Sequence, residues 1–471
     1  LKSTFSDAVI IKYNRRRALK RNICLRVLII SYHFYPSWEI GAKRLTELAR
    51  YLGSENISVD VISSFADQDI SAGKVLMLNV SAVPVATPKR FLLDTLVNFK
   101  RRFGPSNEEG RSELEVPPSI DIRKSAFVQL ISRVIRFVRI RFFSLVYFID
   151  DKKLWSWRAA HAGVAIGRRH KADVVISSGP PFSAVLAGLS VAQRLGVPHI
   201  ADYRDPWTDT WSTVPSRARG ADIFFLRLLE KIVVQRSTVV TATSTSVIEL
   251  LSTRHPTSHQ KFYLVRNGYD GAAQERSRDT GGYLRILFAG EIYGKRDPFP
   301  LLRALDRLCV KEGIKTDRVS LTFIGRCAEY DGVNIAEALH GRPCESLVRF
   351  LPMAPNSIVK TLISESTVLL NLAQHQHRAV PAKTYEHLAS GCELLVFCED
   401  DSDTAKLLSS IGGVIRVDPT SDESIDHALN SLYERHVVAG QLRAPQASAV
   451  AQYSRLQANK TFVSVIRKVR A

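Results

Sequence analysis

Short runs of β-branched and aliphatic residues alternate with longer stretches whose apolar positions recur at helical spacing. This alternation predicts parallel α/β units. In the first half the strand-like runs are "RVLIIS" (from Arg26), "ISVDVIS" (from Ile57), "DVVISS" (from Asp173), "VPHIADY" (from Val197), "TVVTAT" (from Thr238) and "KFYLV" (from Lys261). Helical patterns fall between them at about 41–52, 183–195, 221–236 and 245–254. Residues 86–160 break the rhythm and read as an insertion containing the polar loop "GPSNEEGRSE". The polar stretch "GAAQERSRDTGG" (271–282) reads as a linker. The rhythm then restarts with "LRILFAG" (from Leu284), "VSLTFIG" (from Val319), "LVRFLP" (from Leu347), "TVLLNLA" (from Thr367), "ELLVFC" (from Glu393) and "GVIRVD" (from Gly413). A helical pattern from Ala447 to about Lys468 has no strand after it.

The expected fold is therefore α/β, with two doubly wound, Rossmann-like domains in succession. The expected segments are a basic tail (1–25), an N-terminal domain (26–270) carrying the insertion, the linker, a C-terminal domain (283–450) and a final segment (451–471). A chain of 471 residues suits two cores better than one. In open sheets of this kind ligands bind at the carboxyl ends of the strands, so two facing domains would enclose a cleft.

Composition narrows the classes. Six cysteines (24, 309, 327, 344, 392 and 398) are scattered without a C-x-x-C, which fits reduced thiols and neither a disulfide scaffold nor a zinc knuckle. His375, His377 and His387 form a histidine cluster, read as loop or site-lining residues; no metal site is expected. The longest apolar run, "FFSLVYFI" (142–149), is too short to span a bilayer, and the N-terminus lacks the apolar core of a signal peptide. A cytoplasmic protein is the expectation. The net charge of +19 is clustered in the tail and in "RKSAFVQLISRVIRFVRIRFF" (123–143), which has no acidic residue. Cations interleaved with bulky apolar residues suit an anionic membrane surface on its inner face, or a helix partly buried in its own domain. Nucleic-acid binding would also use such charge, but no zinc finger or RRM aromatic motif is present, so no nucleic-acid partner is expected.

Neither first strand is followed by G-x-G-x-x-G, which weakens a dinucleotide reading. Three other loops at strand ends carry chemistry. In "SYHFYPSWEIGAKR", Gly41 opens a helix, where a glycine lets the backbone approach an anion. In "FAGEIYGKRDPFPLL", Gly290 and Gly294 bracket a tight loop, and Lys295 and Arg296 precede a proline-started helix. Two cations beside a helix N-terminus oppose its dipole unless an anion such as a diphosphate binds there. "FIGR" adds Arg326 at the next strand end. In "RAVPAKTYEHLASG", Glu386 can accept hydrogen bonds from a ribose diol, and Lys383, one turn earlier, can pair with it or reach a phosphate.

Together "YPSWEIGAKRLTELARYL", "SSGPPFSAVLAG", "ADYRDPWTDTW" (201–211), "RNGYD", "FAGEIYGKRDP" and "VPAKTYEHLASG" resemble, in order, retaining glycosyltransferases of family 4, which have the two-domain GT-B fold. More narrowly, the chain resembles bacterial exopolysaccharide and lipopolysaccharide enzymes with a D-[FY]-R-D-P-W signature. The resemblance covers about residues 26–470. It implies a nucleotide-sugar donor, UDP- or GDP-linked, held mainly by the C-domain, and a saccharide or lipid-linked acceptor held mainly by the N-domain. Carried over by motif, Glu386 would hold the donor ribose, while Lys295 and Arg296 would hold the diphosphate with Gly290, Arg326 and Lys383 around them. Gly41 would face the diphosphate from across the cleft. The stretch from Asp202 to Asp205 would lie near sugar and acceptor, with Asp205 among the catalytic groups. The resemblance implies no cofactor and no divalent metal; "DDSD" (400–403) reads as a helix-start loop. It also implies that the last helix crosses back onto the N-domain.

One departure stands out. Many relatives carry a Glu-x7-Glu pair, and with Glu386 as its second member the first falls on Arg378. This leaves an alternative in view: a catalytically degenerate GT-B protein that binds nucleotide or lipid-linked glycan as an assembly partner.

Overall fold

Runs such as "VLII" and "VVISS" are buried at every position because helices cover both faces of the sheet they enter. The computed structural model describes residues 25–37, 40–64, 80–84, 149–209, 220–277, 279–314 and 318–470. In the first domain, strands β1 (Arg26–Ile30), β2 (Ser58–Ser63), β3 (Val80–Pro84), β4 (Val174–Gly179), β5 (His199–Tyr203), β6 (Val239–Ala242) and β7 (Phe262–Leu264) form a parallel sheet. Its order is β3-β2-β1-β4-β5-β6-β7. Helices α1 (Ile40–Ser54), α2 (Lys153–His170), α3 (Phe182–Leu195), α4 (Gly220–Arg236) and α5 (Thr245–Arg254) connect and flank these strands. The winding direction reverses between β1 and β4, which opens a crevice at their carboxyl ends.

The second domain repeats the plan. Strands β8 (Leu284–Glu291), β9 (Val319–Arg326), β12 (Val348–Leu351), β13 (Val368–Leu372), β14 (Glu393–Phe397) and β15 (Val414–Val417) form a parallel sheet ordered β12-β9-β8-β13-β14-β15. A small antiparallel hairpin, β10 (Glu329–Tyr330) and β11 (Val333–Asn334), stands beside it. The longer helices are α6 (Phe299–Glu312), α7 (Asn356–Glu365), α8 (Ala382–Leu388), α9 (Asp403–Leu408), α10 (Asp422–Tyr433) and α11 (Arg455–Arg470). Helix α11 lies on the first domain, where Phe462, Val463, Val465 and Ile466 join Val27, Ile29, Leu45 and Leu48 in one apolar core.

The structure corrects several expectations. Strand β3 and the β10–β11 hairpin are additions, being short and without clear alternation. The insertion expected to run to residue 160 ends earlier: from Lys153 the chain is helical, and Trp155, Ala159 and Ala160 bury one face of α2. The rest of the insertion, apart from Ile149 to Lys152, the basic stretch at 123–143 and the N-terminal tail lie outside the described residues. The final helical pattern is broken, with a one-turn helix (Ala447–Val450) and a 3-10 turn (Ala451–Tyr453) before α11. Cys309, Cys327, Cys344, Cys392 and Cys398 are buried free thiols.

Arg44 of α1 ties the first domain together. Its guanidinium meets the buried Asp202 carboxylate of β5 at 3.0 and 2.8 Å and also donates to the carbonyls of Val265 and Arg266. Ser178 of β4 and Thr241 of β6 donate to the same carboxylate at 2.8 and 2.7 Å. Burial raises the cost of that charge, yet Arg44 and the two hydroxyls hold Asp202 below the usual carboxylate range. Replacement Arg44→Met would leave a buried carboxylate without its cation, a loss of about 3–5 kcal/mol. Urea unfolding of this variant is expected to show an unfolding free energy lower by that amount, with a correspondingly lower midpoint, and an unchanged midpoint would contradict it.

Candidate functional site

The carboxyl ends of the two sheets face each other across a cleft of about 1470 Å³. The first domain lines it with His33, Gly41, Arg204, Asp205 and the Pro180–Pro181 corner; the second with Gly290, Arg296, Arg326, Ala382 and Lys383. Six of the eight residues picked out in the sequence (Gly41, Asp205, Gly290, Arg296, Arg326 and Lys383) therefore share one cavity.

The floor on the second-domain side is bare backbone. Gly290 and Gly325 are register partners at the ends of β8 and β9. Gly325 has φ +122°, and a Cβ there would run into the Gly290 carbonyl. Glycine is required by both conformation and contact, and the result is a surface that a ligand can approach closely. A Cβ on Gly290 would come within 2.9 Å of Lys383 Nζ.

Two cations converge on this floor. Lys383, in the first turn of α8, donates to the Ala289 carbonyl. Burial lowers its pKa, and the charge of Arg296 pushes in the same direction against the help of Glu386. The Arg296 guanidinium packs on the Tyr293 ring, 4.2 Å from its centroid, and donates to the Glu291 carbonyl at 3.3 Å. Gln376, with its amide oxygen turned inward, accepts from Arg296 at 3.2 and 3.0 Å. Burial lowers the pKa of Arg296 as well. Two half-buried cations beside each other are costly by themselves and become favourable when an anion lies between them. Arg326, more exposed, stands 3.5 Å from Glu291 at the rim.

Lys295 is not part of this pair: its side chain is exposed and does not line the cleft. The turn at Gly294 (φ +62°) sends adjacent residues in different directions, so that Arg296 folds inward onto Tyr293. Lys383 takes the place expected of Lys295. Gly41 lines the cleft, but a Cβ there would collide with the Arg204 guanidinium, which donates to the Gly41 and Pro180 carbonyls. The need for glycine at 41 is therefore set by Arg204. Asp202, expected near the ligand, is buried in the Arg44 network.

Asp205 does face the cleft. It makes no hydrogen bond to another described residue, and burial raises its pKa, partly offset by Arg204. Such a carboxylate is poised to accept a hydroxyl proton or to face a developing positive charge.

Glu386 lies outside the cavity lining, half-exposed on α8. Its Oε1 accepts from Lys43 of α1 at 2.7 Å, and Lys43 also meets Asp270 at 2.7 Å. Burial opposes the Lys43 charge, but Glu386 and Asp270 prevail and hold its pKa above the usual lysine value. The sequence reading missed Lys43, although it sits within a quoted motif, and gave Arg204 no role of its own within the 202–205 stretch. Arg378 is also turned away from the cleft. It stands 3.4 Å from Asp209 of the first domain, and its carbonyl accepts from Ser244 at 2.9 Å. Alongside, Asp403 accepts from Ser246 Oγ at 2.6 Å and from its amide.

Residues 123–272 match the Glycosyltransferase Family 4 family. No curated protein matches the chain. Among solved structures, a glycosyltransferase from Rickettsia africae is similar at TM-score 0.53 and 9% identity, over 95% of this chain and 99% of that one. The lipopolysaccharide outer core galactosyltransferase WaaB, in its apo form, is similar at 0.53 and 12%, over 94% and 99%. Anabaena Alr3699/HepE, solved with UDP and glucose, is similar at 0.51 and 11%, over 94% and 100%. Identities this low establish the GT-B fold and leave the chemistry to the residues of the cleft.

The convergence of Lys383 and Arg296 predicts an anion site. Lys383→Met or Arg296→Met is expected to weaken pyrophosphate binding at least about tenfold, ~1.4 kcal/mol. Lys295→Met should change it less than about twofold. Calorimetry on the three variants checks both; equal losses at 295 and 383 would overturn the pairing.

Proposed function

We propose that the protein is a retaining glycosyltransferase that moves a sugar from a nucleotide-diphosphate donor, UDP- or GDP-linked, to a saccharide or lipid-linked acceptor in cell-surface polysaccharide synthesis. The observation that carries this reading is the pair Arg296 and Lys383 over the glycine floor, facing Asp205 across the cleft. The UDP and glucose bound by HepE, a protein of the same fold, are consistent with it.

In this reading the bond from the anomeric carbon to the diphosphate oxygen breaks with both electrons leaving on oxygen. Lys383 and Arg296, already fixed by Ala289, Tyr293 and Gln376, stabilise that growing charge more in the transition state than in the donor. The acceptor hydroxyl forms its bond on the face just vacated, and its proton passes to the departing phosphate oxygen. Asp205 orients the acceptor and faces the positive charge on the sugar. The leaving-group charge is met by protein cations, so transfer proceeds without a divalent metal in the cleft. Glu386 keeps Lys43 on one oxygen and offers the other, which has no partner among the described residues, to the donor ribose. Donor binding then reinforces a contact between the domains.

The assembly-partner reading draws on Arg378, which bridges the domains where many relatives place a carboxylate. Turnover separates the two. Incubation of UDP- and GDP-sugars with lipid-linked acceptors is expected to give transfer product. Asp205→Asn should lower kcat about a hundredfold with little change in nucleotide affinity, a loss of ~2.7 kcal/mol in the barrier. Glu386→Ala should cut transfer at least about tenfold, mainly through the donor KM. Nucleotide binding without any turnover across the donor panel would favour the partner.

A membrane-surface place fits exposed apolar side chains on two helices that both pack on α3. Leu154 and Trp157 of α2 and Phe224, Phe225 and Leu228 of α4 are exposed, among Lys153, Arg158, Arg227 and Lys231. Among the described residues no helix is long and apolar enough to cross a membrane. Flotation with vesicles containing anionic lipid should recover the protein, and Trp157→Ser with Phe224→Ser should reduce recovery at least about threefold, since each aromatic contributes buried apolar area. Equal recovery with neutral vesicles would argue against it.

A further inference from the structure

The loop between β13 and α8 alternates its side chains. Gln376 turns into the cleft toward Arg296, whereas its neighbours His375 and His377 do not line that cavity. On the outer side the two imidazoles meet Glu399, from the loop after β14, and one ligand atom from each of the three lies within 4.8 Å of the others. His375 holds φ +57°, an uncommon conformation for a residue with a side chain, and its amide donates to Glu399 Oε1 at 2.8 Å. Glu399 Oε2 is buried and has no hydrogen-bond partner. A carboxylate oxygen shut away from water without a donor is expensive to keep charged unless a cation meets it.

From this arrangement we infer that His375, His377 and Glu399 form a binding site for a divalent transition metal of the zinc type, outside the catalytic cleft. Two imidazoles and one carboxylate are a donor set that suits Zn²⁺, with water completing four-coordination. Asp401 Oδ1 lies 2.9 Å from His377 Nδ1. An imidazole N–H given to a carboxylate there leaves Nε2 to ligate and raises its basicity. Donor atoms around zinc are about 3.4 Å apart at bond lengths of about 2.0–2.1 Å. The imidazoles are half-exposed, at 50% and 48%, and can close the difference by side-chain rotation. His377 and Asp401 also line a solvent groove of about 620 Å³, which gives an ion a way in.

The consequence is mechanical. A metal there clamps the loop holding Gln376 against Arg296 on one side and carrying the Arg378 bridge on the other. The inference does not depend on the proposed transfer reaction, because metal binding is read directly.

The test uses the full, tag-free chain after chelation and dialysis, titrated with ZnCl2 alone. One zinc per chain is expected, with Kd below about 10 μM, and Co²⁺ should give the absorption of a four-coordinate site. The double replacement His375→Ala/His377→Ala should weaken binding at least about tenfold and abolish the zinc-induced rise in melting temperature. Asp401→Asn should weaken it less, and His340→Ala not at all. Both histidines of the pair are exposed, so circular dichroism should show the double variant folded. No zinc uptake at 100 μM, or uptake unchanged in the folded double variant, would overturn the site.

Discussion

The Asp202 carboxylate can be buried at the carboxyl end of β5 only because Arg44 reaches it from α1 with two hydrogen bonds, while Ser178 and Thr241 occupy its remaining lone pairs. This network links α1, three strands and the segment after β7. It also fixes the direction of the neighbouring residue. With Arg44 turned inward, Lys43 is on the side of α1 that faces Glu386 and Asp270. A buried charge in one domain thereby positions the cation that meets the other.

Like charges set the character of the cleft. Lys383 and Arg296 are held near each other by neutral partners, a carbonyl, an amide and an aromatic face, with no carboxylate bonded to either of them among the described residues. Such a pair keeps its full attraction for an incoming anion because it has not been neutralised in advance. By contrast, Arg378 and Lys43 are each engaged with carboxylates and contribute to the seam between domains. The protein uses its cations in two ways, and the partner each one has decides which.

Much of the fold was legible because parallel strands covered on both faces are largely apolar, so six strands in each half stood out. The short edge strand β3 and the two-residue strands of the hairpin carry too few residues for a pattern. The contents of the cleft were legible where backbone chemistry demanded a residue, as at Gly290, and where a motif placed Lys383 on a helix facing inward. The choice between Lys295 and Arg296 was not, since it turns on the φ of Gly294 and on the Tyr293 ring. Glu386 and Gly41 were chosen for chemistry that the sequence allows, yet their immediate neighbours, Lys43 and Arg204, are brought in from distant segments.

Helix α11 has a bearing on how the molecule is made. Phe462 and Ile466 complete an apolar core that also holds Leu25 and Val27, so the first domain lacks part of its interior during synthesis until nearly all of the described chain has followed. Its nascent form carries an uncovered apolar face beside α1 throughout synthesis of the second domain. The core of the first domain is thus closed by a helix that follows the whole second domain in the chain.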